Sequence, residues 1–236
     1  MPSGGARMRA DRRSLTIPTQ GALNVHAAAW FAREIGLPLN RHTTIHWERG
    51  GVSDALAATT HFLALASAWA RSRGAEFAYV WVREAGPNKG EHVHILLRVP
   101  PDLAVDFKRR QRGWLKACGA AWRKGVVHSE RIGFSLRHAD QSGYSGETYA
   151  ANLGEVLDYI LKGAGQTARR LRGLRRKQFG GVVTGKRCGT SENIGRAARE
   201  AKGADYEETD LCGSGRRVGR RRVECGCRDY RQLWRS

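Results

Sequence analysis

Residues 77–99 carry the clearest structural pattern in this chain. Two runs rich in β-branched, aromatic and aliphatic residues, 77–84 and 92–99, flank the turn-forming sequence Gly86-Pro87-Asn88-Lys89-Gly90. Two such runs joined by a short loop that contains glycine predict a β-hairpin. This hairpin is the most clearly predicted element of the fold.

Segments on both sides of the hairpin show helix and strand patterns in turn. The predicted elements are, in chain order, a strand at 41–47, a helix at 54–73, the hairpin, a helix at 100–119, a strand at 126–136 and a helix at 147–161. The order β-α-β-β-α-β-α predicts an α+β protein. We expect an antiparallel sheet of the split βαβ kind, with helices mainly on one face.

Composition divides the chain into three parts. Residues 1–24 lack periodicity and are interpreted as a flexible leader, and residues 25–165 hold the predicted domain. Residues 166–236 contain 19 Lys or Arg and 8 Asp or Glu, so this C-terminal extension is strongly basic. Its arginine runs, such as Arg169-Arg170-x-Arg172, are predicted to contact phosphates rather than to be merely solvated.

The net charge points to a polyanionic partner. Lys and Arg total 41 against 22 Asp and Glu, which gives a formal charge of +19. A charge of this sign and size attracts nucleic acid. An anionic membrane surface is disfavoured as the partner, because no long basic amphipathic helix is apparent. The longest apolar stretch, residues 55–70, is interrupted by polar side chains and is shorter than the roughly 20 residues that span a bilayer.

The cysteines and the N-terminal segment favour a reducing compartment. Five cysteines form an odd set, and residues 1–13 lack the apolar core of a secretory leader. We therefore expect a cytoplasmic protein. A zinc site built from Cys212, Cys225 and Cys227 is disfavoured, because their spacing departs from the usual two-residue gap.

A His-x-His pair on the second strand of the hairpin suggests a metal site. His92 and His94 must project from the same face of the strand, whereas Glu91 should point to the opposite face. By itself such a pair is as often two solvated or hydrogen-bonded histidines. Glu84, at the end of the neighbouring strand, could complete a two-histidine, one-carboxylate site for Mg²⁺ or Mn²⁺.

Two further histidines share a face of the first strand. His42 and His46 lie four residues apart, so each could serve as an additional ligand or a DNA contact. A structural role is favoured for both.

The last predicted helix places a tyrosine beside a lysine. Tyr159 and Lys162 are three residues apart and therefore neighbours on one face of a helix. A tyrosine hydroxyl, with a pKa of about 10, needs activation before it can act as a nucleophile. Lys162 could stabilise a phenolate or the charge that develops on a phosphate. The pattern is common by chance and gains meaning only alongside the histidine pair.

Together these motifs resemble a known superfamily. His92-Val93-His94 is similar to the His-hydrophobic-His motif of the HUH endonucleases, and Tyr159-Ile160-Leu161-Lys162 resembles the catalytic motif of their rolling-circle replication initiators. The resemblance covers about residues 39–165. It implies a ferredoxin-like or RRM-like sheet, a metal bound by Glu84, His92 and His94, and attack by Tyr159 on single-stranded DNA to leave a 5′-phosphotyrosine link and a free 3′ hydroxyl.

The chain departs from parts of the superfamily pattern. The nearest other tyrosines, Tyr149 and Tyr144, are too distant for a paired-tyrosine site, which favours a single-tyrosine enzyme. The sequence Gly180-x-x-x-x-Gly185-Lys186-Arg187 lacks the Ser or Thr of a P-loop, so a separate host helicase is expected, in a bacterial plasmid or phage setting. Residues 178–199 are predicted to be ordered and could recognise an origin hairpin.

Three functions are compatible with these observations. The first is a replication initiator that nicks and rejoins an origin. The second is a transposase or mobilisation relaxase with the same chemistry. The third is a noncatalytic module in which an RRM-like sheet and a basic extension hold a single strand. The sequence does not distinguish oligomeric states.

Overall fold

Five antiparallel strands form the central sheet. The computed structural model describes residues 12–87, 89–132 and 146–203. In chain order, a two-residue strand β1 (Arg13–Ser14) precedes the sheet strands β2 (Arg41–His46), β3 (Tyr79–Gly86), β4 (Gly90–Leu97) and β5 (Val127–Arg131), and β6 (Val183–Thr184) precedes β7 (Cys188–Thr190). The sheet order is β5-β2-β4-β3-β7, while β1 and β6 pair separately. The predicted α+β class and antiparallel sheet are confirmed.

The helices cover both faces of the sheet. They are α1 (Thr19–Glu34), α2 (Ala55–Arg71), α3 (Ala104–Ala117), α4 (Glu147–Ile160), α5 (Gln166–Arg172) and α6 (Arg196–Ala201). The connecting helices α2 and α3 share one apolar core with one face of the sheet. The other face shares its core with α1, α4 and α5, so helices are not confined mainly to one side as predicted.

The predicted order of elements holds from β2 to α4. Helix α2 connects β2 to β3, and β4 then fills the space between these two strands, as a split βαβ arrangement requires. Helix α3 leads to β5, which pairs with β2. Local signals set several boundaries. The Asp54 side chain accepts the amide hydrogen of Ala57 at 2.9 Å and caps α2, and Gly74 adopts a φ of 64° just after that helix.

Regular structure begins earlier than the sequence indicated. The predicted leader, residues 1–24, overlaps β1 and the first turns of α1, where Ala22 and Leu23 are buried. Buried positions follow one another closely along this alanine-rich helix because it contacts β3, β7, α5 and α6. A helix covered on most sides has little contrast between apolar and polar faces, so it shows no clear period.

The start of the predicted extension is part of the folded domain. The strand β7 pairs with β3 at the edge of the sheet, and α5 packs against α1. Residues 178–199 are ordered, as predicted, but their three-residue strand Cys-Gly-Thr was missed because it is too short to show alternation. The described residues all belong to one compact unit. None of the helices in the described ranges is long and apolar enough to cross a membrane.

Candidate active site

Alternation along the β3–β4 hairpin sends three titratable side chains to one face of the sheet. Glu84 pairs directly with His92, and His94 lies two residues farther along β4. Neighbouring residues of a strand point to opposite faces, so Val93 enters the core beneath α2 while both histidines face the other side. The structure therefore brings together the three residues that the sequence predicted as metal ligands.

The three side chains meet closely enough to share one ion. Glu84 Oε2 lies 3.4 Å from His92 Nε2 and 3.6 Å from His94 Nε2. Candidate ligand atoms of all three residues lie within 4.8 Å of one another, and all three side chains are buried. Two imidazoles and a carboxylate form a donor set that could hold a divalent metal. The competing carboxylate, Glu91, is instead ion-paired with Arg83.

Hydrogen bonds at the far side of each imidazole orient the two rings. His92 Nδ1 donates to the carbonyl oxygen of Gly90 at 2.9 Å, which leaves the Nε2 lone pair of a neutral ring directed toward Glu84. His94 Nδ1 lies 3.0 Å from Thr44 Oγ1 and 3.3 Å from His42 Nε2. Partners of this kind fix ring orientation in metal sites.

His42 and His46 lie beside the two histidines of this cluster. The His42 ring lies 5.4 Å from the His94 ring, and the His46 ring stacks on His92 with the two centroids 5.1 Å apart. Burial, the largest cause, lowers the pKa of His42, His46 and His94 to about 4. These three rings are therefore neutral at neutral pH, the state in which an imidazole nitrogen can bind a metal.

Lys162 joins the end of α4 to strand β3. Its Nζ lies 2.7 Å from both carboxylate oxygens of Glu84, and both side chains are buried. Burial by itself would raise the pKa of Glu84, but the contacts with His92, His94 and Lys162 outweigh it and hold that pKa well below its usual range. Burial lowers the pKa of Lys162 despite the opposing effect of Glu84. The carboxylate is therefore ionised at neutral pH.

Tyr159 lies directly beside this cluster. Its ring centroid is 5.2 Å from that of His94 and 6.0 Å from that of His42. Lys162 Nζ is 4.2 Å from the Tyr159 ring centroid, a cation–π distance. Burial, followed by the charge of Glu84, raises the pKa of the Tyr159 hydroxyl, so the phenol is protonated in this structure.

The predicted helix ends slightly before Lys162. Helix α4 ends at Ile160, and Lys162 follows in a turn. The backbone amide of Lys162 donates to the Tyr159 carbonyl oxygen at 3.3 Å. The two residues remain neighbours, as the three-residue spacing predicted. Lys162 contacts the Glu84 carboxylate and the Tyr159 ring.

Sequence reasoning missed an acidic residue next to the tyrosine. Asp158 is 5% exposed, and its Oδ1 accepts the amide hydrogens of Arg175 and Arg176 at 2.8 and 3.0 Å. The Arg176 guanidinium carbon lies 5.9 Å from the Tyr159 ring centroid. The sequence signal for Asp158 is an acidic residue within an apolar helix pattern. Its hydrogen-bond partners are 17 and 18 residues away along the chain, so the pattern alone does not identify them.

Other candidate residues lie elsewhere. Tyr149 is buried and its hydroxyl donates to the Leu39 carbonyl oxygen at 3.0 Å, whereas Tyr144 falls outside the described residues. Cys212, Cys225 and Cys227 also fall outside them. Arg187 is buried and donates to the carbonyl oxygens of residues 14, 180 and 181, so this P-loop-like sequence connects short strands.

A family comparison covers most of the sheet. The family model for replication-associated protein ORF2/G2P matches residues 42–144. Residues 42–144 are therefore similar to a family of rolling-circle replication initiators. The match contains Glu84, His92 and His94, and it ends before Tyr159 and Lys162. No curated protein and no solved structure matches the chain significantly.

Proposed function

We propose that this chain nicks and rejoins single-stranded DNA at a replication origin and so initiates rolling-circle replication. Tyr159 is the proposed nucleophile, and Glu84, His92 and His94 are the proposed ligands of a divalent metal. One observation carries the proposal: the carboxylate and two imidazole nitrogens converge within 4.8 Å, and the Tyr159 ring lies 5.2 Å from one of those imidazoles.

The donor set suits a metal that activates a phosphodiester. His94 Nε2 is buried and forms no hydrogen bond within the described part of the chain, Glu84 Oε2 being 3.6 Å away. A buried nitrogen of this kind is costly unless another group satisfies it. When bound, Mg²⁺ or Mn²⁺ would act as a Lewis acid on the scissile phosphate.

The protein residues supply the nucleophile and its setting. In the proposed reaction the Tyr159 oxygen loses its proton and bonds to phosphorus, while the bond from phosphorus to the 3′ oxygen breaks and that oxygen leaves as a hydroxyl after gaining a proton. Rejoining reverses these bonds. Because the pKa of Tyr159 is raised, its proton must be removed before or during attack on phosphorus.

Lys162 is proposed to serve both halves of the site. Its contacts with Glu84 and the Tyr159 ring hold the α4 end against β3. The ammonium also adds a positive charge beside the position where negative charge grows on the phosphate.

A covalent-adduct assay tests the proposal. Full-length protein is incubated with Mn²⁺ or Mg²⁺ and single-stranded hairpin oligonucleotides drawn from DNA that flanks its own coding sequence. We expect an adduct that survives denaturing electrophoresis and is lost in Tyr159→Phe. Tyr79→Phe is the matched control, because Tyr79 packs against the opposite core and should leave the adduct intact.

Other outcomes discriminate among the candidate functions. An adduct formed equally well by Tyr159→Phe would exclude this nucleophile. Adducts on transposon-end or transfer-origin oligonucleotides, with none on origin hairpins, would assign the same chemistry to a transposase or relaxase. Strand binding with no adduct on any oligonucleotide would favour a noncatalytic module.

DNA binding by the basic extension stays a proposal, as does a separate host helicase. A cut after residue 165 cannot test the extension, because β7 and α5 are part of the folded domain. A cut after residue 203 retains every described element.

A further inference from the structure

The segment Arg175-Arg176-Lys177-Gln178-Phe179, here called the 175–179 loop, is fastened to both sides of the nucleophile. Asp158, which precedes Tyr159, accepts the amide hydrogens of Arg175 and Arg176. The amide of Gln178 donates to the carbonyl oxygen of Lys162 at 3.0 Å. The loop therefore follows the backbone around Tyr159.

Beyond residue 179 the chain runs beside strand β3. The carbonyl oxygen of Gly180, directly after Phe179, accepts the amide hydrogen of Ala85 at 2.8 Å. A Cβ on Gly180 would lie 3.5 Å from the Glu84 side chain, and one on Gly181, whose φ is 73°, would overlap the Ala85 carbonyl. These close approaches fix the end of the loop beside Glu84.

The side chains of this loop face outward although its backbone is fixed. All five are exposed, and Phe179 is 61% exposed. Residues 166–187 contain eight Lys or Arg and no Asp or Glu. An exposed aromatic ring among cations, on backbone tied to Lys162 and Ala85, matches the combination with which proteins hold single-stranded nucleic acid.

We propose that the 175–179 loop binds the scissile strand, with Phe179 stacking on a base next to the cleaved phosphodiester and Arg176 contacting a phosphate. This inference rests on the proposed function and specifies how its substrate is held. Stacking is tolerant of sequence, because every base has a π-face. Phe179 therefore favours an unpaired base over a duplex, whose bases are already stacked.

Two strands that differ only in their bases test the role of Phe179. Binding is measured by fluorescence anisotropy in the full-length Tyr159→Phe background, with a short thymidine oligonucleotide and an abasic strand of equal length. We expect Phe179→Ala to weaken thymidine binding by roughly 5- to 100-fold and to leave abasic binding nearly unchanged. Phe179→Trp should retain the preference for bases.

A second variant separates stacking from charge. Arg176→Ala should weaken binding of both strands similarly and reduce the slope of log affinity against log salt by about 1. Trp122→Ala provides the matched aromatic control, because Trp122 is 43% exposed after α3 and next to Arg112. It should change neither affinity, and equal thermal unfolding would confirm that all variants fold.

The outcomes distinguish this inference from the proposed function. Equal loss of thymidine and abasic binding in Phe179→Ala, or no loss of either, would overturn the stacking role even if the covalent adduct forms. A selective loss of thymidine binding would support the stacking role even if no adduct is ever found. The binding assay uses Tyr159→Phe protein and therefore does not depend on the Tyr159 hydroxyl.

Discussion

Neighbouring residues of β4 point to opposite faces of the sheet, where their surroundings differ. Val93 and Ile95 enter an apolar core beneath α2 and α3, while His92 and His94 enter a polar cluster on the other side. Apolar side chains need only close packing. Buried polar groups each need a defined partner. At residues 92–95 of β4, one face therefore contributes only to packing and the other carries the candidate site, although each face of the sheet has its own apolar core.

The apolar face is dominated by aromatic rings. Four of them pack edge to face with centroids 5.3–5.8 Å apart, namely Phe62, Trp69, Phe107 and Trp114. Pairs in this orientation add stabilisation beyond the area they bury. We expect this cluster to contribute strongly to stability on the α2–α3 side of the sheet.

Phe62→Ala should show the largest loss of stability. The side chain is fully buried, so we expect the free energy of unfolding to fall by about 3–5 kcal/mol. Denaturant unfolding measures the change, and Val105→Ala, at a residue 64% exposed, should change it little. Adduct formation per folded molecule should stay near wild type, and its selective loss would show that the two faces are not separable.

His94→Ala should produce the converse result. It removes one of the three proposed ligands, and we expect adduct formation to fall by about 100-fold or more, beyond the usual effect of losing a ligand's supporting partner. Single-strand binding should fall much less, because cations supply most of the affinity. Parallel adduct and anisotropy assays check this, with exposed His61→Ala as control. Equal losses of cleavage and binding would argue against a metal role.

The sequence predicted the parts of this site that depend on local geometry. His92 and His94 share a face because strand residues alternate, and Glu84 lies opposite His92 because a short loop joins the two strands. Tyr159 and Lys162 likewise stay neighbours because they are three residues apart, although the helix ends between them. Each of these relations spans few residues, so the pattern alone was sufficient.

The parts that the sequence did not predict depend on distant contacts. Asp158 accepts hydrogen bonds from a loop that begins 17 residues later, and that loop lies beside the candidate site only because it returns to β3. Thr44 and His42 contact His94 across a pairing of two strands, and local sequence patterns do not predict such a pairing. Helix α1 was partly missed for a different reason, since burial on most sides removes its period.

Thr44→Val should weaken the proposed metal site without removing any of its proposed ligands. The change keeps the shape of the side chain but deletes the hydroxyl 3.0 Å from His94 Nδ1. We expect metal affinity to fall by about 10- to 100-fold, the usual effect of losing such a partner. Titration with Mn²⁺ measures it directly. Thr60→Val, on the exposed side of α2, is the matched control, and equal affinities for Thr44→Val and wild type would show that His42 alone orients His94.

Acid should destabilise the side of the sheet that carries the site. The histidines whose pKa is lowered to about 4 include His26 on α1, where burial is the main cause and Arg172 adds to it. Because unfolded His26 binds its proton near pH 6.5 and folded His26 only near pH 4, the unfolded state takes up more protons between these values. Its contribution to stability is therefore present above pH 6.5 and is lost as the pH falls toward 4.

His26→Gln should reduce this dependence on pH. We expect the loss of unfolding free energy between pH 7 and pH 5 to shrink by about 1–2 kcal/mol, as the linkage relation gives for such a shift. Denaturant unfolding at the two pH values measures it, with exposed His61→Gln as control. The Trp30 indole donates to His26 Nε2 at 3.4 Å, a bond that protonation would break and glutamine could replace through its side-chain oxygen. An unchanged pH dependence in His26→Gln would assign the acid sensitivity to the histidines around Glu84. The face of the sheet that carries the site would then be the face that acid destabilises.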